Sequence, residues 1–400
     1  MNIAGRDLPG LLGALSLLGC TSDRPDLPPN PVCMKQVSGT YDSVVLARLF
    51  DDTLWVAPNS ATYTRIDNAN GPILATDCAA SGSSAYSAAV GCAIAGDGTW
   101  CFPLAGPVLD STSFGAGLGQ VTTDSARQVV TARDAGAPPL RDAVQLAGGM
   151  NGGGATFCAV TSDGKLWCWG YNTNGYLGHG DSDSASYARP VMLDPSTEFT
   201  QALEVRVGFD STCARKADGT VWCWGNNGYA ELGHLPASDP EESAYPIQVT
   251  LPAAAIRLAA SPGNTHCAIL ADTSVVCWGR NEYAQAGAAS DRQAVPPTLL
   301  QVAAEGPAFK GVLDLAPDRG MRAMCANTGK PGLWCWGDVL EGNDAGSPYP
   351  LLAASAPNGR IDAPLSASGA RDGKLIYVNP NGRLVFGAGA TPTTRQPPCP

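Results

Sequence analysis

Residues 213–233 read CARKADGTVWCWGNNGYAELG, and this stretch decides the fold. It holds two cysteines ten positions apart, a tryptophan on each side of the second cysteine, and an Asp-Gly pair between them. The same pattern recurs along the chain; residues 158–178, for example, read CAVTSDGKLWCWGYNTNGYLG. Seven copies, of which the first and last lack cysteine, begin at residues 46, 92, 158, 213, 267, 325 and 376. A period of about 50 residues predicts a solenoid, a propeller or an array.

Each copy has the pattern of a β-hairpin, because alternating apolar residues lead into a polar turn and a second apolar run follows. A three-residue hairpin loop places its last residue in the left-handed region, where glycine has no Cβ to clash. Gly164, Gly219 and Gly382 hold that position. Asp52 and Thr273 replace glycine in two copies, and the β-branched Thr273 is the poorer fit.

The hairpin register places the two cysteines of a copy directly opposite each other, close enough for a disulfide. The copy at residue 92 is one residue shorter, and a two-residue turn keeps its cysteines opposed. Zinc sites favour short C-x-x-C clusters or histidine partners, which these copies lack. Each bridge would close a loop of about 11 residues and stabilise the fold by about 2–3 kcal/mol. The five predicted disulfides are Cys92–Cys101, Cys158–Cys168, Cys213–Cys223, Cys267–Cys277 and Cys325–Cys335.

Both faces of each hairpin are apolar, which predicts that each sheet lies between two neighbours, as blades do in a propeller. A further strand-like segment precedes most hairpins, as LEVRV precedes Cys213, so a blade of about four strands fits the spacing. All nine tryptophans fall inside the copies, which favours packing between blades over stacking on sugars. The predicted fold class is an all-β, seven-bladed β-propeller with hairpin disulfides within its blades.

The pattern D-G-x-[LV]-W-C-W-G-x-N-x-x-[GA]-x-L-G resembles the repeat of the regulator of chromosome condensation family, whose fold is a seven-bladed propeller. Asn172, Asn227 and Asn281 follow the Trp-Gly pair as in that family, and we expect them to bond backbone groups in a turn. Glycines 178, 233 and 287 close the motif, and His266 matches the family's histidine before the first apolar residue. The resemblance covers roughly residues 40–390. It indicates the fold more than the function, since one fold hosts unrelated activities.

The N-terminal residues predict export. Leu8 to Leu18 form an apolar run of signal-peptide length, too short to span a bilayer, and Leu17 to Cys20 resemble a bacterial lipobox. We therefore predict a signal peptide over residues 1–19, lipidation at Cys20, a proline-rich tether over residues 20–32 and the propeller over residues 33–400. An ordinary secretory signal with a chance cysteine is the alternative. The expected location is the cell envelope outside the cytoplasm, on a lipid anchor or as a secreted protein.

Export agrees with the cysteine content, because disulfides persist outside the reducing cytosol. Cys33, Cys78 and Cys399 remain after the five hairpin bridges and the lipid. Propellers of this kind usually close by joining the chain ends, which favours a Cys33–Cys399 bridge, although the pairing among these three stays open.

The sequence carries no phosphate-binding loop, G-x-S-x-G or H-E-x-x-H motif, and we predict no catalytic residue, no metal ligand and no cofactor. His179 and His234 follow Leu-Gly in neighbouring copies, and we interpret them as solvated loop residues rather than metal ligands. The carboxylates of residues 181–184 and 238–243 are interpreted as surface loops, with a weak calcium role as the alternative. A net charge of −11 disfavours nucleic-acid partners.

The predicted function is the binding of a protein or a cell-surface polymer by a propeller that is a monomer and meets the membrane only through its lipid. The alternatives are a polysaccharide hydrolase or lyase and, from the family resemblance, an inhibitor of an extracellular enzyme or a guanine-nucleotide exchange factor. Exchange would need a cytosolic GTPase, which export disfavours. Uneven repeat spacing assigns extra chain to residues 102–142, and we expect it to form a partner-facing rim with residues 181–187 and 239–245.

Lipidation gives a first testable prediction. Mass spectrometry of the mature chain should show residues 1–19 removed and acyl groups on Cys20, because the lipobox-like stretch ends there. A mature terminus at another residue, or an intact Met1, contradicts the prediction.

Overall fold

The computed structural model describes the strands and most connections of the chain between residues 34 and 393. The described residues are 34–39, 45–49, 52–57, 64–68, 71–72, 74–81, 89–96, 98–105, 126–134, 136–151, 154–236, 242–317, 322–328, 333–338, 346–354, 375–378, 384–388 and 391–393. Residues 1–33 lie outside them, so the signal peptide, the tether and lipidation at Cys20 stay predictions. Among the described residues, no helix is long and apolar enough to cross a membrane.

The first three blades are antiparallel sheets of four strands in chain order. Blade 1 contains β1 (Met34–Gly39), β2 (Val45–Leu49), β3 (Leu54–Ala57) and β4 (Thr64–Arg65), and a small ribbon of β5 (Asp67–Asn68) and β6 (Gly71–Pro72) follows. Blade 2 contains β7 (Ala75–Ser81), β8 (Ala89–Ala95), β9 (Gly98–Ala105) and β10 (Arg127–Gln128). Blade 3 contains β11 (Ala143–Asn151), β12 (Gly154–Thr161), β13 (Leu166–Gly170) and β14 (Ala185–Pro190).

The remaining sheets continue the series, after a ribbon of β15 (Met192–Asp194) and β16 (Thr197–Glu198). Blade 4 contains β17 (Ala202–Val207), β18 (Ser211–Lys216), β19 (Val221–Asn226) and β20 (Glu242–Val249). Blade 5 contains β21 (Ala255–Ala260), β22 (Thr265–Leu270), β23 (Val275–Arg280) and β24 (Ala294–Leu299). Blade 6 contains β25 (Asp314–Pro317), β26 (Ala323–Asn327), β27 (Leu333–Gly337) and β28 (Ser347–Ala354). The seventh sheet contains β29 (Leu375–Val378), β30 (Leu384–Ala388) and β31 (Thr391–Thr393). This all-β architecture confirms the predicted seven-bladed propeller.

Each sequence copy forms the hairpin that was predicted. In blades 2 to 6 the two cysteines of a copy are paired residues on neighbouring strands and form a disulfide, with Cα atoms 4.0–4.1 Å apart. The bridges join the five predicted pairs, which confirms the hairpin register. Cys78 is buried on β7, whereas Cys33 and Cys399 lie outside the described residues, so a Cys33–Cys399 bridge stays a prediction.

The hairpin turns adopt the predicted left-handed conformation. Gly164 and Gly219 have φ angles of 78° and 81°, and Asp52 and Thr273 take φ angles of 66° and 67° at the same position. Thr273 therefore carries the backbone strain that a β-branched residue meets there. In blade 2 the paired residues Ala95 and Gly98 leave a two-residue turn, as expected. Gly382 lies outside the described residues.

The core lies between the blades, and its repeating unit is a disulfide packed against a tryptophan. The disulfide of blade 2 shares a hydrophobic cluster with Trp169 of blade 3, and the disulfides of blades 3, 4 and 5 share clusters with the matching tryptophan of the next blade. These tryptophans are fully buried: Trp169, Trp224, Trp278 and Trp336. The predicted packing of tryptophan between blades is confirmed for this set, while Trp100, Trp167, Trp222 and Trp334 are half-buried.

Two kinds of hydrogen bond also join neighbouring blades. The buried indole N–H of Trp224 donates to the carbonyl of Tyr176 in blade 3 at 2.7 Å, and Trp278 and Trp336 make the equivalent bond to blades 4 and 5. On the innermost strands, the side chain of Gln145 accepts a hydrogen bond from the backbone N–H of Val205, 2.9 Å away. Asp77 and Glu204 accept equivalent bonds from the next blade.

The antiparallel strand order gives the propeller two distinct faces. We call the face with the turns between second and third strands the hairpin-turn face. The opposite face carries the connections between third and fourth strands, residues 171–184 in blade 3 and 227–241 in blade 4, and we call it the long-loop face.

Residues 102–142 do not form one long insertion. Residues 102–105 belong to β9, where Leu104 is buried, and residues 127–128 form β10, the fourth strand of blade 2. Residues 106–125, between these two strands, lie outside the described residues, as do residues 239–241 of the expected rim.

The packing predicts unequal roles for the two tryptophans of a copy. Replacing Trp224 with alanine should lower the free energy of unfolding by about 3–5 kcal/mol, because it empties a fully buried site beside a disulfide. Replacing the half-buried Trp222 on the same strand should cost clearly less. Urea unfolding of both variants measures the difference, and equal losses would contradict the interface described here.

Candidate functional site

The long-loop face is held in shape by the repeated asparagines. Asn172, Asn227 and Asn281 are fully buried, and the Oδ1 atom of each accepts a backbone N–H from the residue five positions later, at 2.8–3.0 Å. Asn172 also donates through Nδ2 to the carbonyls of Asp181 and Asp183, at 2.9 and 3.0 Å. This confirms the predicted role of these asparagines in organising turns.

The loop that carries the predicted rim segment 181–187 contacts the predicted rim segment 239–245 on this face. The N–H of Gly180 in blade 3 donates to the carbonyl of Ala244 in blade 4, at 3.0 Å. Beside this contact, Arg189 forms an ion pair with Asp181 at 2.8 Å. Burial alone would raise the pKa of Asp181, but its hydrogen bonds and ion pair with Arg189 lower that pKa below the ordinary value. Asp183 projects into solvent at the same place.

A polar cluster lies next to this contact, where three blades approach each other. Tyr176 of blade 3 donates its O–H to Asp210 of blade 4 at 3.3 Å, and Asn264 of blade 5 donates to the other carboxylate oxygen at 3.4 Å. Asn264 also accepts the backbone N–H of Asp210 at 3.1 Å. Burial raises the pKa of Asp210 above its ordinary value. The cluster therefore places the half-buried carboxylate of Asp210 between three blades.

Glu231 is a fully buried carboxylate in this region. Its Oε2 atom accepts the backbone N–H of Tyr229 at 2.7 Å, while its Oε1 atom has no hydrogen-bond partner in the described part of the chain. Burial raises the pKa of Glu231 to about 8, and the charge of Asp210 contributes to the rise. Sequence reasoning missed Glu231. The sequence held a signal for it: when the copies are aligned, Glu231 places an acidic side chain where neighbouring copies have Tyr176 and Gln285.

Arginines stack on tyrosines further around the same face. The guanidinium of Arg280 lies 5.0 Å from the ring centre of Tyr229 and forms an ion pair with Glu282. The guanidinium of Arg322 lies 4.5 Å from the ring centre of Tyr283 and 3.3 Å from Asp338.

The histidine prediction is wrong for His179. His179 is buried, its Nε2 atom lies 3.2 Å from the carbonyl of Arg189, and burial lowers its pKa to about 3. The folded long loop covers this ring, which the sequence pattern did not reveal. His234 is half-buried. Among the described residues, no three histidine, cysteine or acidic side chains form a group that could hold a metal ion.

His266 and Ser211 form a buried pair that joins blades 5 and 4. The Ser211 hydroxyl lies 2.6 Å from His266 Nε2, and the imidazole stacks on Trp278. Burial lowers the pKa of His266 to about 3, so the ring is neutral at physiological pH. Phe157 stacks on Trp169 at the equivalent position of blade 3. We therefore assign the pair a packing role between blades.

Comparisons with known proteins agree with the repeat pattern. One family model of the regulator of chromosome condensation (RCC1) repeat matches residues 163–214 and 218–270, and a second matches residues 150–175 and 204–231. These segments are regulator of chromosome condensation repeats. The chain is thus an RCC1-type β-propeller.

The relatives and solved structures that resemble this chain are proteins of different kinds. The chain is 30% identical to mouse E3 ubiquitin-protein ligase HERC2 over 203 residues, 49% of the chain but 4% of the ligase. It is 28% identical to the Arabidopsis thaliana ultraviolet-B receptor UVR8 over 198 residues, 48% of the chain and 41% of the receptor. Human WBSCR16 is similar in fold, with a TM-score of 0.58 at 15% identity, covering 84% of the chain and 85% of WBSCR16. Yeast Prp20p, known for binding Gsp1p and histones, gives a TM-score of 0.56 at 16% identity, covering 77% of the chain and 74% of Prp20p.

Glu231 makes the stability of the fold depend on pH. Its folded pKa of about 8 exceeds the ordinary 4.5, so the folded state retains a proton that the unfolded chain releases. Its contribution is complete below pH 4.5 and is lost as pH rises towards 8. Glu231→Gln should remove this loss, because Gln285 occupies the equivalent site and accepts the N–H of Tyr283 in the same way. Thermal midpoints at pH 5 to 9 should diverge between the two proteins, and parallel curves would contradict the assignment.

Proposed function

We propose that this chain is an exported, lipid-anchored propeller that binds a protein partner through its long-loop face. Export and anchoring rest on the sequence from Leu17 to Cys20. Cell-surface polymer remains the second class of partner that the sequence favours. The propeller supplies the rigid platform, and the connections that differ between blades supply the recognition surface.

The contact between Gly180 and Ala244 is the observation that carries this proposal. It fixes the loops of blades 3 and 4 against each other, so that the exposed carboxylates of Asp183 and Glu242 hold a defined position. A preorganised polar surface loses little conformational entropy when a partner docks, which favours affinity. The loops of the long-loop face differ between blades, so this face can be specific for one partner although the scaffold repeats.

Charge reversal on the two faces tests the proposal. The mature full-length protein is immobilised, and proteins are captured from the envelope fraction of the source organism by cross-linking. Asp183→Lys with Glu242→Lys should reduce recovery of the specific partner by about tenfold or more, because reversed charges repel the surface they once attracted.

The matched control places the same charge change on the hairpin-turn face. Asp134→Lys with Glu305→Lys alters two exposed residues there and should leave capture unchanged. Unchanged thermal midpoints must accompany both variants. Equal capture by all three proteins, or loss only in the control, would overturn the assignment of the long-loop face.

A further inference from the structure

Exposed apolar side chains line the start of the innermost strands on the hairpin-turn face. These strands begin on that face, because the N–H of Ala217 in the hairpin turn of blade 4 donates to the carbonyl of Gln201, just before β17, at 2.9 Å. In four consecutive blades the start of the innermost strand carries an apolar side chain that is 44–57% exposed: Val144, Leu203, Ile256 and Leu313. We call these four residues the apolar arc. They lie at the opening of the channel that runs along the axis of a propeller.

A repeated backbone feature sets the direction of these side chains. Val144, Leu203 and Ile256 are each skipped between two paired neighbours, so each is the extra residue of a β-bulge. A bulge leaves one residue unpaired and re-aims its side chain. The partner strand lies on the outer side of the innermost strand, so the extra residue lies on the side of the axis. The exposure of the arc thus follows from the blade geometry and not from scattered surface residues.

Hydrogen bonds between blades hold the arc residues side by side. Gln145, directly after Val144, accepts the backbone N–H of Val205 in the next blade at 2.9 Å. Glu204, directly after Leu203, accepts the backbone N–H of Leu258 in the blade that follows, at 3.1 Å. The innermost strands are therefore joined at the level of the arc, which fixes its residues around one opening.

Arg257 interrupts this series of hydrogen bonds beside the arc. In blades 2, 3 and 4 the matching residue is an acceptor for the following blade: Asp77, Gln145 and Glu204. Arg257 cannot accept, and the N–H of Leu315 in blade 6 donates instead to Asp314 of its own strand, at 3.0 Å. Arg257 is exposed, and its guanidinium forms no ion pair or hydrogen bond with any described residue. Blade 5 thus lacks this bond to the next blade and holds a guanidinium beside Ile256.

The charges around the opening favour an anion. Glu204 is already bound by two arginines, Arg206 at 2.8 Å and Arg215 at 3.2 Å. Burial raises the pKa of the half-buried Asp314, and the charge of Arg257 opposes this rise. Three arginines therefore face two carboxylates in this part of blades 4 to 6, although the whole chain has a net charge of −11. The local charge is opposite in sign to that of the chain.

We propose that the apolar arc and Arg257 bind the C-terminal residue of a protein partner, an apolar side chain with a free carboxylate. The arc buries the side chain, and the guanidinium donates to the carboxylate in a planar fork. A chain end fits this place, because a terminus can enter the axial opening end-on, whereas an internal segment must enter and leave through the same opening. The site lies on the face opposite the long-loop face, so the inference goes beyond the proposed function and does not rest on it.

Short peptides test the charged half of the site on the mature full-length protein. The probes are Gly-Ser-Gly-Ser-Leu with a free carboxylate, its C-terminal amide, and a counterpart that ends in serine, each with fluorescein at the N-terminus. Fluorescence anisotropy gives the Kd, and the leucine peptide with a free carboxylate should bind most tightly. Arg257→Gln should weaken its binding by about tenfold, the loss expected when a charge-assisted hydrogen bond is removed. The same variant should leave the Kd of the amide unchanged.

The apolar half has its own variant and matched controls. Leu203→Thr with Ile256→Thr should weaken binding of both leucine peptides by about tenfold, because the exposed arc loses apolar contact area while β-branched side chains keep the strands. Leu299→Thr changes an exposed leucine on the outermost strand of blade 5, and Arg292→Gln removes an exposed arginine on the long-loop face. Both controls should leave every Kd unchanged.

Four results would overturn the inference: no binding at millimolar peptide, equal binding of acid and amide, equal weakening by the controls, or weakening of acid and amide alike by Arg257→Gln. Self-association of the protein that Leu203→Thr with Ile256→Thr abolishes, without peptide binding, would assign the arc to a contact between two copies instead. Peptide binding should be unaffected by Asp183→Lys with Glu242→Lys. Failure of this inference therefore leaves the proposed function standing, and the reverse also holds.

Discussion

The structure depends on burying the disulfides of blades 2 to 5 against the indole of the following blade. A hairpin with apolar residues on both faces cannot be stable alone in water, since it would expose one of them. The stack of blades resolves this problem, and the fully buried Trp169, Trp224, Trp278 and Trp336 are its recurring contacts. The repeat period, the turn glycines and the hydrogen bonds between blades all serve to keep this contact in register.

The fold accounts for nearly everything that repeats, yet some positions within the repeat differ between the copies. At one such position the chain carries Tyr176, Glu231 and Gln285 in successive blades. Their backbone carbonyls make the same bond to the next tryptophan, while their side chains differ in size and charge. The shared backbone role thus leaves the side chain at this buried position free to differ between blades.

The hairpins, disulfides and propeller class could be predicted from sequence because they rest on local alternation and on a repeated spacing. Paired cysteines such as Cys213 and Cys223 are fixed by turn length alone. The burial of His179 and of Glu231 could not be predicted in this way, because both lie in the long connections between third and fourth strands, where no strand alternation applies. The strand of residues 127–128 was missed because it has only two residues and shows no alternation. Residues 102–105 were assigned to the extra chain, whereas they continue β9.

The contacts between blades also have a direction along the chain. Disulfide, loop carbonyl and inner side chain all belong to the earlier blade, and the tryptophan and backbone N–H groups that meet them belong to the later one. Each completed blade therefore carries the acceptor groups that the tryptophan and backbone N–H groups of the following blade need. Blades can then dock in chain order, each one onto acceptor groups that the preceding blade already presents.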